Sequence, residues 1–248
     1  MFKILSHAFI FIVLTIISQI GGVAWLIALR FRLCLLVFVG VYAALSVSTI
    51  YIAPTLGRVP LPCWSDGPLQ SQSVLYCVLN RHYVTPELKD VALDVANKIE
   101  ASFPETKTLT LDGGFPYFAS FPLLPHLSHH DGKKLDFAFY YQDAEGKYLP
   151  AKTPSPIGYF GFIQGSTECP ANWITLRWDF NWLQPLLPSY QLDERRTEAL
   201  IKIIADDPNV SKFLLEPYWK TRLNIQSDKI RFQGCRAARH DDHVHIQL

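Results

Sequence analysis

Charge is scarce in this 248-residue sequence: 18% of its residues are charged and 49% are hydrophobic. An ordinary soluble domain carries about 25% charged residues, so a wholly soluble cytosolic protein is a poor fit. The formal net charge of +1 lacks the basic excess that a nucleic-acid surface needs, which argues against nucleic acid as a partner. No internal repeat and no low-complexity run is present, and the hydrophobic content excludes a disordered chain. The deficit is concentrated. Between His7 and Pro54 the only charged side chains are Arg30 and Arg32, whereas the remainder reads as a normal globular sequence.

Two apolar stretches fill that region, roughly Ala8 to Leu29 and Leu33 to Ala53. Each is about 20 residues, enough to cross a hydrocarbon core of ~30 Å as a helix. Residues 1–55 are therefore expected to form a two-helix transmembrane hairpin, with Arg30 and Arg32 in its turn. A cleaved signal peptide fits less well, because the apolar run is too long and a second one follows. A cytoplasmic turn would put both termini on the far side, while Lys3 and the N-terminal amine pull the other way. Of five cysteines, Cys34 lies in the second stretch, leaving Cys63, Cys77, Cys169 and Cys235. An even number there suits two disulfides in an oxidising compartment. Sequence leaves the connectivity open, with Cys63–Cys77 and Cys169–Cys235 as the expected pairing.

Residues 56–70 are proline-rich and read as a short tether holding a domain, residues 71–248, close to the membrane. Thr85-Pro86-Glu87 supplies an N-cap, a proline at the first helical position and an early acid. With Leu88, Val91, Ala92, Val95 and Ile99 at helical spacing, this predicts an amphipathic helix from Pro86 to Ser102. Alternation over Lys134 to Tyr141 predicts a strand with Asp136, Ala138 and Tyr140 on its polar face. Ile174 to Trp182 is a second candidate strand. Asp193 caps a helix that stops before Pro208, and a last short helix is expected to span Asn209 to Arg222. His243 to Leu248 reads as a final strand. The expected class is α+β, an antiparallel sheet with flanking helices.

Six of the eight histidines fall in two short segments near strand ends, His126 to Asp136 and His240 to His245. In a strand, residues i and i+2 share a face, so His243 and His245 project together while Val244 and Ile246 enter the core. Asp136 follows a loop that carries His129. Two imidazoles and one carboxylate from neighbouring strands make a three-ligand set for Zn²⁺ with the fourth position open, the mark of a catalytic zinc. Either motif alone is weak; together they are specific.

The pattern His-x-x-His-x-x-Gly-x-x-x-Asp, followed downstream by His-Asp-Asp-His-x-His, resembles the penicillin-insensitive murein endopeptidases. These belong to the LAS-type zinc peptidases, with lysostaphin-like, D-Ala-D-Ala and hedgehog-type domains. The resemblance implies His129, Asp136 and His245 as zinc ligands, and His243 beside the metal's open position. His126 and His240 match the two further active-site histidines, and Gly132 the loop glycine. It also implies a LAS-type fold over the domain and peptidoglycan crosslinks, between D-Ala and a diaminoacyl residue, as substrate. With the membrane segment and the cysteines, it points to a bacterial inner-membrane protein whose catalytic domain is periplasmic.

Zn²⁺ acidifies water toward a pKa of ~7. No glutamate lies near either motif to act as base, so His243 or His240 is the expected proton carrier. Asp241 and Asp242 are open between orienting imidazoles and being solvated turn acids. His130 reads as a rim residue, His82 as structural, and Trp173, Trp178 and Trp182 as core or sheet aromatics. The alternatives are a D-Ala-D-Ala-type carboxypeptidase, a non-catalytic zinc-containing murein-binding module, and a metal-sequestering membrane protein. The intact histidine set disfavours the second, and the absence of ligands within the apolar stretches disfavours the third.

Overall fold

The computed structural model describes residues 2–161, 169, 175, 177, 178, 180 and 182–248. The first apolar stretch does not form one long helix. It breaks into α1 (Phe2–Ser18) and α2 (Gly21–Ala28), with Gln19 at a positive φ of 63° between them. The chain doubles back tightly because Gly22 has no side chain: a Cβ there would lie 1.9 Å from Thr15 Oγ1 and 2.8 Å from the Phe11 ring. The rings of His7 and Trp25, 5.8 Å apart, mark the antiparallel return. The expected hairpin of two spanning helices is thus corrected. Among the described residues only the segment beginning with α3 (Cys34–Ile52) is long and apolar enough to cross a membrane, running from Cys34 to Leu56.

Residues 56–70 are not a free tether. Strand β1 (Val59–Pro60) and β2 (Leu69–Ser71) come from this segment, and Leu61 and Leu69 are buried. A short helix, α4 (Val74–Val78), follows, and then β3 (Tyr83–Val84), which pairs with β1. Helix α5 (Pro86–Ser102) begins where its cap predicts: the Thr85 hydroxyl accepts the Leu88 N–H and Pro86 opens the first turn. Beyond it lie β4 (Thr108–Thr110), β5 (Lys134–Ala138), β6 (Tyr141–Gln142) and β7 (Gln191–Leu192). The strand expected to reach Tyr141 therefore ends at Ala138. Asp193 caps α6 (Glu194–Asp206) by accepting the Arg196 N–H. Where one helix was expected over Asn209 to Arg222, the chain forms β8 (Lys212–Leu214) and then α7 (Pro217–Arg222), with β9 (Ile230–Arg231) and β10 (His243–Gln247) completing the domain. The candidate strand from Ile174 to Trp182 lies partly outside the described residues.

The main sheet has the order β2-β4-β5-β10-β8-β9. Its centre, β4 to β8, is antiparallel, but the outer pairs β2–β4 and β8–β9 are parallel, so the sheet is mixed rather than antiparallel throughout. One face packs Leu135, Phe137, Val244 and Ile246 against Leu88, Val91, Val95 and Ile99 of α5 and Leu200, Ile201 and Ile204 of α6. That burial leaves the alternate residues Asp136, His243 and His245 on the opposite face. It too is buried, so these strands have no solvated side. Both disulfides form as expected, Cys63–Cys77 and Cys169–Cys235, with Cys34 free.

Candidate metal centre

The register of two strands builds the centre. In the β5–β10 ladder Asp136 faces His245. The backbone of Asp136 bonds on its other side, accepting from Leu111 and donating to Asp112 O. It therefore meets His245 as a non-hydrogen-bonded pair, the arrangement that brings opposed side chains closest. The Asp136 Oδ1 to His245 Nδ1 distance is 2.8 Å.

His129 arrives from the loop before β5, in a short 3₁₀ turn, Leu127–Asp131, closed by Gly132 at φ 70°. The Arg58 guanidinium lies over Gly132, where a Cβ would fall 1.4 Å from Arg58 Nη1. Arg58 donates to the carbonyls of His130 and Asp131, so the segment read as a tether braces the first histidine motif. His129 Nδ1–H donates to Gly113 O at 2.8 Å. The carbonyl can only accept, so Nδ1 carries the hydrogen and Nε2 is the nitrogen turned toward β10.

His129 Nε2 then lies 3.0 Å from His245 Nδ1 and 3.4 Å from Asp136 Oδ1. Three donor atoms, two nitrogens and one oxygen, thus stand within 3.4 Å of one another. Ligands held tetrahedrally at the usual Zn–N and Zn–O lengths lie about 3.3–3.4 Å apart; the His129–Asp136 separation matches, the two from His245 Nδ1 are shorter, and the donor types, two imidazole nitrogens and a carboxylate oxygen, suit that ion. His126, His129 and Asp136 also fall within 4.8 Å of one another, but His126 Nδ1 is 3.8 Å from Asp136 and is engaged by Asp112 Oδ2 at 2.7 Å. His245 is the better third ligand. Cys63, Cys77 and His82 are also within reach of a common ion, but both sulfurs are joined in a disulfide.

An outer ring surrounds the three. His126 is held by Asp112, which Arg81 grips through Nε at 2.6 Å and Nη2 at 2.8 Å. Asp112 is wholly buried, which opposes its charge, yet Arg81 and then His126 hold its carboxyl down at about 2. His243 Nδ1 meets Asp242 Oδ1 at 2.5 Å, and Asp242 Oδ2 accepts the Gly161 N–H. Burial alone would lower the His243 pKa, but the Asp242 carboxylate outweighs it and the net shift is upward. His243 Nε2 and His240 Nδ1 are buried without a hydrogen-bond partner among the described residues. His240 sits 4.7 Å from the His243 ring, and its pKa is driven down by burial and then by His243 and His245.

All six sequence-derived residues therefore meet: His126, His129, Asp136, His240, His243 and His245. Three participants were not anticipated. Arg81 and Asp112 form the pair behind His126, and Tyr159 donates to Asp136 Oδ2 at 2.5 Å while its ring stands between His126 and His243. The acidic pair after His240 divides. Asp242 orients His243, whereas Asp241 is buried against Arg239 and its pKa rises to about 7, through burial first and Asp242 second. His130 is exposed at the rim. His82 is buried, its Nδ1–H donating to Tyr76 O at 3.3 Å. Trp178 and Trp182 are exposed rather than core, and Trp173 lies outside the described residues.

A cavity of about 240 Å³ opens beside the outer ring, reaching His126, Tyr159 and His243 at one end. No protein-family model matches the chain, and no curated protein matches it significantly.

Proposed function

We propose that the protein is a membrane-anchored, zinc-dependent peptidase of the bacterial cell envelope, hydrolysing peptide crosslinks of peptidoglycan from the periplasmic face of the inner membrane. The observation that carries this reading is the convergence of His129 Nε2, Asp136 Oδ1 and His245 Nδ1 within 3.4 Å. Buried lone pairs so close repel one another unless a proton or a cation lies between them, and a divalent cation can engage all three at once.

His129, Asp136 and His245 would hold the ion, which when bound would supply a Lewis acid able to polarise the scissile carbonyl and acidify water. The other residues manage protons and position. Asp242 keeps the proton of His243 on Nδ1, so Nε2 presents a lone pair to the reacting groups. That nitrogen takes the proton lost by the attacking water and returns it to the leaving amine nitrogen, as amide hydrolysis requires. Its raised proton affinity suits the second half of that task. His126, pinned by Asp112 and Arg81 through Nδ1, offers Nε2 to the substrate. Tyr159 holds the second oxygen of Asp136, so that Oδ1 is the one turned to the ion.

The α3 segment and the two disulfides support membrane anchoring and an oxidising compartment. The test is to load the purified full-length protein with zinc, digest sacculi and identify products by mass spectrometry. Crosslinked stem-peptide dimers should fall to monomers, with a new amine on the diaminoacyl residue. Intact dimers with zinc bound would overturn the substrate, and failure to bind zinc would overturn the class.

A further inference from the structure

The cavity beside His126 and His243 is walled mainly by Leu75, Leu79, Leu124, Ile157, Phe160 and Trp178. Its polar lining includes His126, Tyr159 and His243 of the outer ring, together with Arg239. A peptide crosslink is polar along its length, and the apolar end of this cavity offers it few partners.

The position of the cavity relative to α3 supplies the missing chemistry. Tyr42 Oη donates to Val78 O at 2.6 Å, at the end of α4. Asn80 Nδ2 donates to Ser46 Oγ at 3.2 Å, and Thr49 Oγ1 meets Tyr83 Oη at 2.5 Å. Tyr42 stands ten residues before Ile52, the last residue of α3. That is roughly 15 Å of helix, half of a ~30 Å hydrocarbon core. A domain bonded to α3 at that height has its lower face within one leaflet if α3 crosses the bilayer. That face has the matching composition: Val74, Leu75 and Val78 of α4 are about half exposed, Phe118 is 67% exposed, and Leu124 and Leu127 are exposed beside them. Tyr42, Ser46, Thr49, Asn80 and Tyr83 each have a hydrogen-bond partner here, as a lipid-facing site demands. Leu75 and Leu124 are both half-exposed and part of the cavity wall, so the cavity opens onto this apolar face.

We propose that the cavity takes the apolar chain of a membrane amphiphile, so that the amide brought to His243 belongs to a peptide carried by a lipid chain in the bilayer. This rests on the peptidase reading and deepens it by naming a membrane-borne wall peptide as a form in which the substrate is taken. The chain enters laterally between Leu75 and Leu124, and its polar head reaches the outer ring of histidines without leaving the interface.

The test uses the full-length protein in phosphatidylethanolamine–phosphatidylglycerol nanodiscs. The probe is a dipeptide amide N-capped with dodecanoyl bearing a terminal diazirine; the reference is its N-acetyl counterpart. After irradiation, label should map to residues 74–79 and 157–160. Leu79→Trp and Ile157→Trp, which fill the cavity, should cut that label at least tenfold without changing zinc content. His245→Ala should retain it, because the chain site is separate from the ligands. Dodecanoyl dipeptide should be hydrolysed with a kcat/KM at least tenfold above the acetyl form. Label confined to α1, α2 and α3 and indifferent to the filling variants would overturn the proposal, as would equal hydrolysis of the two capped forms. Cavity labelling without hydrolysis of any probe or of sacculi would instead sink the peptidase reading and leave the chain site standing. Sacculus digestion without cavity labelling would do the reverse.

Discussion

The groups gathered on the polar face of the sheet divide into an inner and an outer set, and the two are built on different principles. The inner three, His129, Asp136 and His245, turn donor atoms toward one another. His129 is oriented by a neutral backbone carbonyl, that of Gly113, which fixes the tautomer without adding charge. The outer histidines turn away from that point. His126 and His243 each rest on a carboxylate of their own, Asp112 and Asp242, while His240 has no carboxylate on its ring and only its backbone N–H reaches Glu216. A carbonyl partner fixes a tautomer without adding charge, whereas the Asp242 carboxylate also raises the proton affinity of His243. Under the proposed reading, that difference separates ligation by the inner set from proton transfer by His243.

The sharpest way to break the comparison is to remove an inner member. Asp136→Ala or His245→Ala should lose the metal and, with it, several kcal/mol of transition-state stabilisation, or about 10³-fold or more in kcat. Elemental analysis of each variant checks the first part, and full zinc in His245→Ala would erase the boundary between the sets. An outer substitution should act differently. His243→Ala should keep about one zinc per chain and lose ~10²–10⁴-fold in kcat, the usual contribution of a positioned acid–base group. If it loses zinc as readily as His245→Ala, His243 belongs to the inner set.

The carboxylates behind the outer rings come next. Asp242→Asn leaves an acceptor oxygen for His243 but removes the charge, and should lower kcat by ~10–100-fold with metal retained. Because the carboxylate is what raises the His243 proton affinity, the acid-side limb of the variant's kcat profile, where His243 must be unprotonated to act as base, should shift to lower pH. An unchanged profile would mean that Asp242 only positions the ring.

The difference between the sets was partly legible in the chain. Histidine and aspartate carry chemistry that few other residues can, and their spacing on a period-2 strand announced His243 and His245 on one face. Helix α5 was equally plain because Thr85, Pro86 and Glu87 mark its start and Leu88 to Ile99 its buried side. What stayed hidden comes from segments without periodicity. Arg81 and Asp112 sit in connections on either side of α5 and β4, and Tyr159 in an irregular stretch, so only the folded chain brings them together. The region from Asn209 to Arg222 misled because Val210, Phe213, Leu214 and Leu215 suit a helix and a buried strand alike. Hydropathy likewise made Ala8 to Leu29 look like one span, since it does not register the left-handed Gln19 or the close approach at Gly22.

The smallest expected effect comes from a histidine with neither a ligand's role nor a carboxylate. His82 is buried against Tyr76 O, and burial lowers its pKa from 6.5 to about 4. The unfolded chain therefore takes up a proton near pH 6.5 that the folded domain refuses until about pH 4. The stability associated with the neutral ring is complete above pH 6.5 and is lost as pH falls through that window, by at most about 3 kcal/mol at 1.36 kcal/mol per unit. His82→Gln keeps a donor for the Tyr76 carbonyl but does not titrate. Melting temperatures of the two proteins, measured with EDTA present so that metal loss is common to both, should converge as the pH falls from 7 to 4.5. Parallel curves over that range would show that burial does not govern the protonation of this ring, and would remove the baseline against which the carboxylate-backed His243 is judged.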